Sequence, residues 1–230
     1  MKRPGLIGGT GWPSTLEYYR LLNIYYGEAT TPGHSLDLVL RSLDFEIFRQ
    51  HMANDRKEAA LKMLSDSIQD CEKAGADFLV FTANGLHRFL DELAPFIHLP
   101  IVHIADATAQ EVADRGIKKV GLMGVRGTME SDFYQTRLQK HGVTTVIPDE
   151  TDREVMEKII FSELVQGKFT GKSKAIFIEI MKRLTQKGVE GIILGCTEIP
   201  LLVQDTDVDL ILFPTTEIHC KAVLQMVLKI

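Results

Sequence analysis

The chain has 230 residues, 45% hydrophobic and 25% charged, with 26 basic against 31 acidic side chains for a formal charge of −5. That balance excludes a disordered chain and the basic footprint that nucleic-acid binding needs. No apolar run approaches the roughly 20 residues that cross a bilayer, no signal peptide is read ahead of Gly8-Gly9, and the widely spaced Cys71, Cys196 and Cys220 form no disulfide framework, so a soluble protein of the reducing cytoplasm is expected.

Short apolar runs predict strands at 5–8, 36–43, 77–83, 100–104, 119–124, 144–148, 191–196 and 209–213. Stretches of helical period separate most of them. Such alternation predicts parallel sheet flanked by helices. Ser14-Thr15-Leu16-Glu17 fits a capping box with Pro13 just outside, and Leu16, Tyr19, Leu22 and Tyr26 fall on one helical face. Four strands lie in each half. Gly5-Leu6-Ile7-Gly8 matches Gly121-Leu122-Met123-Gly124, and Ala74-Gly75-Ala76-Asp77-Phe78 matches Lys187-Gly188-Val189-Glu190-Gly191. Both pairs lie roughly half the chain apart, so the sequence reads as two copies of one α/β unit. Ligands of such sheets bind beyond the carboxyl ends of the strands, so the site is expected between the halves.

The strand ends carry the candidate chemistry. Gly8-Gly9-Thr10-Gly11 follows the first strand and precedes a helix, where backbone N–H groups hold anions. Ser14 stands where a dinucleotide fingerprint needs its third glycine, and Gly124-Val125-Arg126-Gly127-Thr128, the equivalent loop of the second half, lacks the P-loop Gly-Lys-Ser/Thr. Extending the second match pairs Thr82-Ala83-Asn84 with Gly195-Cys196-Thr197. A Cys between a strand and a helix start is expected to have its pKa lowered by the helix N-terminus, which suits an acid/base or nucleophile. Its other reading is a small buried hydrophobe. Thr197 is the expected N-cap of a short helix over 198–203. Asn84-Gly85 reads as a turn or a carboxylate contact, with His87 one turn on. His219 and Cys220 are adjacent on a helix and point apart, and nothing has zinc-ligand spacing.

These segments resemble the aspartate/glutamate racemase family of cofactor-independent amino-acid racemases. The likeness rests on Gly8-Gly9-Thr10-Gly11-Trp12-Pro13-Ser14-Thr15, Asn84-Gly85-Leu86-His87, Ile104-Ala105-Asp106-Ala107-Thr108, Gly127-Thr128-Met129-Glu130, Asp132-Phe133-Tyr134 and Gly195-Cys196-Thr197-Glu198-Ile199, which run from end to end. It implies an α/β protein of two pseudo-symmetric domains, each with a four-stranded mostly parallel sheet flanked by helices, with the active site between them. Residues 1–104 with 211–230 would form the first domain and 105–210 the second. A homodimer, no cofactor, no metal, and a small acidic amino acid or dicarboxylate as ligand follow from the same resemblance.

Family members use one acid/base on each face of Cα, usually two cysteines. Cys196 carries over as the second. Ala83 occupies the position of the first and cannot exchange a proton. Thr82 is the adjacent hydroxyl, but strand alternation turns it away from Ala83 and it is a poor base. Gly9, Thr10, Asn84, Gly85, Thr128, Thr197 and Glu198 carry over as substrate-binding positions. Gly85 replaces the usual Thr, and Pro214 stands where the family commonly has Asp. Four readings follow. The first is a racemase of an acidic amino acid. The second is a one-Cys lyase of the same superfamily, since arylmalonate decarboxylases resemble these racemases and keep only the second Cys. The third is a non-catalytic binder of an acidic small molecule. The fourth, disfavoured by the failed fingerprints, is an unrelated nucleotide-binding protein.

Overall fold

Seven strands fall on the predicted apolar runs, and the computed structural model describes residues 1–229. β1 (Pro4–Gly8), β2 (Val39–Ser42) and β3 (Phe78–Phe81) form one sheet in the order β2-β1-β3. β4 (Lys119–Met123), β5 (Thr144–Val146), β6 (Gly191–Leu194) and β7 (Ile211–Pro214) form a second in the order β5-β4-β6-β7. Every pairing is parallel. β1, β3 and β6 are buried along their whole length, as strands covered on both faces must be, which is why they read as unbroken apolar runs.

The first sheet has three strands, not the expected four. Residues 100–104 contribute a single parallel bridge, Ile101 to Leu79, because Pro100 has no N–H to donate and a helix already starts at Ile104. With that bridge counted, both sheets run in the same spatial order, which supports the duplication read from the sequence.

The chain divides into unit 1, Met1–His103 with the segment from His219 onward, and unit 2, Ile104–Ile218. Unit 1 contains α1 (Trp12–Ala29), α2 (Phe45–Ala53), α3 (Lys57–Lys73) and α4 (Leu90–Leu93). Unit 2 contains α5 (Ile104–Asp114), α6 (Arg126–Met129), α7 (Asp132–Lys140), α8 (Glu150–Ser162), α9 (Gly171–Gln186) and α10 (Ile199–Leu202). α11 (Thr215–Leu228) starts in unit 2 and continues into unit 1. The sequence reading placed 211–230 in the first domain. β7 instead pairs with β6 in the second sheet, so only the later part of α11 joins unit 1, and Ile230 lies outside the described residues.

Helix α3 shows how unit 1 is packed. Ala60, Leu64, Ile68 and Cys71 recur at three- and four-residue spacing and are all buried. Each fully buried Leu or Ile there contributes about 1.5–3 kcal/mol. The helix lies so close to β1 that a Cβ on Gly5 would sit 2.9 Å from Cys71 Cβ.

Helix α1 departs from its reading. Its buried stripe is Ser14, Thr15, Tyr18, Leu21, Leu22 and Tyr26, while Leu16 and Tyr19 are 57% and 46% exposed. No capping box forms. Gly11 is the N-cap, in left-handed conformation, and Pro13 lies in the first turn. The inward hydroxyls explain the difference. Ser14 Oγ donates to Thr82 O, Thr15 Oγ1 accepts from Gly9 N–H at 2.9 Å, and Tyr18 bonds His219. Polar atoms with buried partners replace the apolar face that periodicity alone selects.

Candidate active site

In unit 1 the candidate residues gather at the carboxyl ends of β1 and β3, which pair side by side up to Ile7 and Phe81. Gly9 turns the chain at φ +88°, and a Cβ there would lie 2.2 Å from Leu43 O, so only glycine fits. The next residue, Thr10, has a buried hydroxyl with no hydrogen-bond partner. A buried unpaired hydroxyl costs about 1–3 kcal/mol, and such groups mark ligand positions when loops expose them to substrate. Thr82 is 1% exposed, and its Oγ1 lies 3.0 Å from Thr15 Oγ1. That hydroxyl is committed to the interior, although β3 ends at Phe81 and strand alternation does not reach Thr82. Ala83 packs against the apolar cluster that holds Leu86 and Phe89. Asn84 opens a 3-10 helix over Asn84–Phe89 instead of a simple turn. Nothing lies within 4 Å of a Cβ built on Gly85, so space does not dictate the loss of the usual Thr.

In unit 2 the candidates gather at the ends of β4 and β6. Gly195 N–H donates to Met123 O at 2.7 Å. A Cβ on Gly195 would lie 3.0 Å from that oxygen and 3.2 Å from Thr128 Cγ2, so glycine lets the two strand ends close. Thr128 is fully buried, and its hydroxyl, like that of Thr10, has no partner.

Cys196 follows. Its thiol donates to Glu198 Oε2 at 2.9 Å, and Thr197 Oγ1 donates to the same oxygen at 2.8 Å. Glu198 is buried and is itself the N-cap of α10. Thr197 is therefore a ligand of Glu198, not the expected cap. Burial first, and then the Glu198 carboxylate, push the Cys196 thiol well above its ordinary range. The expectation of a lowered pKa fails for a physical reason. α10 is a single turn with a weak dipole, and the residue at its start is an anion. The resting group is a thiol with its proton aimed at a carboxylate.

Several residues beyond the sequence reading support this loop. Thr215 Oγ1 donates to Leu194 O at 2.9 Å, and the Tyr134 hydroxyl bonds Thr108 and Thr215. Tyr134 and Thr108 are fully buried, and burial raises the Tyr134 pKa. Together they brace the end of β6, two residues before Cys196. Thr216, 5% exposed, has a third unpartnered hydroxyl at a strand end. Pro214 ends β7 and lines a cavity of about 360 Å³ with Leu194, Pro200, Leu212 and Glu217.

Unit 1 also buries three histidines that sequence reasoning left scattered. His87 lies 4.5 Å from His103 and 5.5 Å from His219, ring centre to ring centre. No group of three or more His, Cys, Asp or Glu suited to a metal ion occurs among the described residues. No described helix is long and apolar enough to cross a membrane.

Residues 7–223 match the model of the Asp/Glu/Hydantoin racemase family. The structure is similar to one from Yersinia pestis described as a "putative Asp/Glu racemase", with TM-score 0.92, 41% identity, and coverage of 99% of this chain and 100% of that one. It is also similar to an aspartate racemase homologue from Pyrococcus horikoshii OT3, with TM-score 0.84, 35% identity, and coverage of 98% and 99%. The broad specificity amino-acid racemase RacX of Bacillus subtilis is 25% identical over 138 residues, 60% of this chain and 59% of that protein.

Proposed function

The chain belongs to the Asp/Glu/Hydantoin racemase family, and from that premise we propose that it racemises a small acidic amino acid without pyridoxal phosphate, with Cys196 as an acid/base. The observation that carries this is the hydrogen bond from the Cys196 thiol to the buried Glu198 carboxylate. A Cα–H is a weak acid, and a thiol must lose its own proton before it can take one. Glu198 is placed to receive that proton. Because burial holds the free thiol protonated, the substrate's ammonium supplies the positive charge that favours the thiolate when it binds. Thr10, Asn84 and Thr128 are proposed to bind the carboxylates, with the unpaired hydroxyls of Thr10 and Thr128 finding partners there. We place the enzyme in the cytoplasm, as a homodimer.

A second reading has its own support. A protonated Cys196 without a thiol partner at Ala83 suits a one-sided lyase, in which loss of CO₂ makes the carbanion and a single acid quenches it. One experiment separates the two. Proton NMR in D₂O follows loss of the Cα–H signal of L- and D-aspartate and glutamate, with chiral analysis alongside. Racemisation predicts exchange with inversion, abolished in Cys196→Ser. Turnover that survives Cys196→Ser overturns the assignment. Absence of exchange from every acidic enantiomer favours the lyase.

A further inference from the structure

Gly195 stands between the last residue of β6 and Cys196. Glycine suits the close approach there, since a Cβ would lie 3.0 Å from Met123 O and 3.2 Å from both Leu122 Cδ1 and Thr128 Cγ2. Glycine is also the residue whose backbone turns most freely. The Cys196 thiol therefore hangs from a joint that residue 195 does not itself fix.

The fixing comes from one peptide group. Its N–H, that of Gly195, donates to Met123 O at 2.7 Å, and its carbonyl, that of Leu194, accepts from Thr215 Oγ1 at 2.9 Å. Pro214, opposite Leu194 in the register of β6 and β7, has no N–H to give, and the next residue supplies a hydroxyl. On the other side of the thiol, Cys196 O accepts from Ile199 N–H at 3.3 Å. Cys196 thus lies between two anchored peptide groups.

The Thr215 hydroxyl is itself held. Thr215, Tyr134 and Thr108 are fully buried, and the Tyr134 phenol bonds both threonines. Each threonine spends its one hydrogen on a carbonyl, Thr215 on Leu194 O and Thr108 on Ile104 O at 2.8 Å. Carbonyls only accept, so the phenol hydrogen is the one left for the threonine oxygens. Burial keeps the phenol protonated. Such a closed polar network fixes the rotamers of its members. All of these residues belong to unit 2, with Cys196 and Glu198.

Resting on the racemase reading above, we propose that Thr215, braced by Tyr134, is a positioning residue that holds the Cys196 thiol on Glu198, in the place from which it exchanges the substrate's proton. Thr215 acts through the Leu194 carbonyl, by denying Gly195 its freedom. A displacement of about 1 Å at a reacting group can cost about 100-fold in rate.

The test pairs two measurements on wild type, Thr215→Val, Thr215→Ser and Tyr134→Phe, each checked for folding by thermal unfolding. One is kcat and KM for Cα–H exchange of the aspartate and glutamate enantiomers in D₂O. The other is the pH profile of Cys196 alkylation by iodoacetamide, read by mass spectrometry of the peptide that carries it. Thr215→Val keeps the shape and frees the Leu194 carbonyl. Its kcat should fall about 100-fold with KM nearly unchanged. Its alkylation profile should move to lower pH, because a thiol that leaves Glu198 loses the carboxylate's hold on its proton. Thr215→Ser, which keeps the hydroxyl, should restore both, and Tyr134→Phe should show the same changes at smaller size. A lower unfolding midpoint with kcat and profile unmoved makes Thr215 a residue of the fold alone and overturns the proposal. Failure of Thr215→Ser to restore them overturns it as well. If Thr215→Val does not fold, Tyr134→Phe decides, and an unmoved profile there overturns the brace. Absence of exchange in wild type overturns the acidic-substrate reading by itself, and the alkylation profiles then decide on Thr215 by the same criteria.

Discussion

The Cys196 thiol donates to Glu198 Oε2 across 2.9 Å, and in the proposed mechanism this pair governs the reactivity of the thiol. Two effects raise the thiol pKa, burial more than the carboxylate. Glu198→Gln removes the second and leaves the first. The thiol pKa should therefore fall while staying above the ordinary range. Alkylation of Cys196 by iodoacetamide at fixed pH should then quicken, since the thiolate is the nucleophile. Catalytic Cα–H exchange should move the other way and drop about 100-fold, because Gln cannot receive the proton. Opposite signs in the two measurements distinguish a proton acceptor from a packing residue, whose loss would change both in the same direction. The sequence showed where Cys196 sits but not the sign of its pKa shift. A strand-end Cys before a helix start suggests a lowered value. The outcome depends on two facts invisible at that level, the one-turn length of α10 and the inward direction of Glu198.

At the scale of elements, the strands were legible because buried parallel strands are unbroken apolar runs, as in Phe78–Phe81 and Gly191–Leu194. The buried face of α1 was not, because Ser14, Thr15 and Tyr18 point inward to bond partners that no period reveals. Loops after strands behave similarly. Glycines and threonines flag them, but only the fold shows which hydroxyls lack a partner. Thr128 is a case in point, with its methyl against Gly195 and its buried hydroxyl unpaired. Thr128→Val keeps the shape and removes the hydroxyl. It should stabilise unit 2 by about 1 kcal/mol, read as a higher midpoint in chemical denaturation. The KM for the acidic substrate proposed above should rise about tenfold at nearly unchanged kcat, as expected when a contact made equally in ground and transition states is lost. A lower midpoint would show that the hydroxyl serves the fold.

For the whole molecule, the consequence of duplication is asymmetry in how the two units are assembled. Both sheets run in one spatial order, but unit 2 is a continuous segment and unit 1 needs the chain to return through α11. That return is fastened at His219, whose ring bonds Tyr18 of α1 on one side and Val102 O on the other. The bond that Nδ1 accepts from Tyr18 requires the neutral imidazole, while the Nε2–H bond to Val102 O persists in both forms. The folded group titrates near 4 and the ordinary one near 6.5, so between these values the unfolded chain takes up the extra proton. Stability from this residue is complete above pH about 6.5 and is lost as pH falls toward 4, by about 3 kcal/mol in all. Thermal unfolding between pH 7.5 and 4.5 should show a falling midpoint in wild type. In His219→Gln, whose amide can accept from Tyr18 and donate to Val102 without titrating, the midpoint should be lower at pH 7.5 and flatter toward acid. Parallel curves for the two proteins would mean that the acid sensitivity arises elsewhere and that His219 does not couple the chain's return to pH.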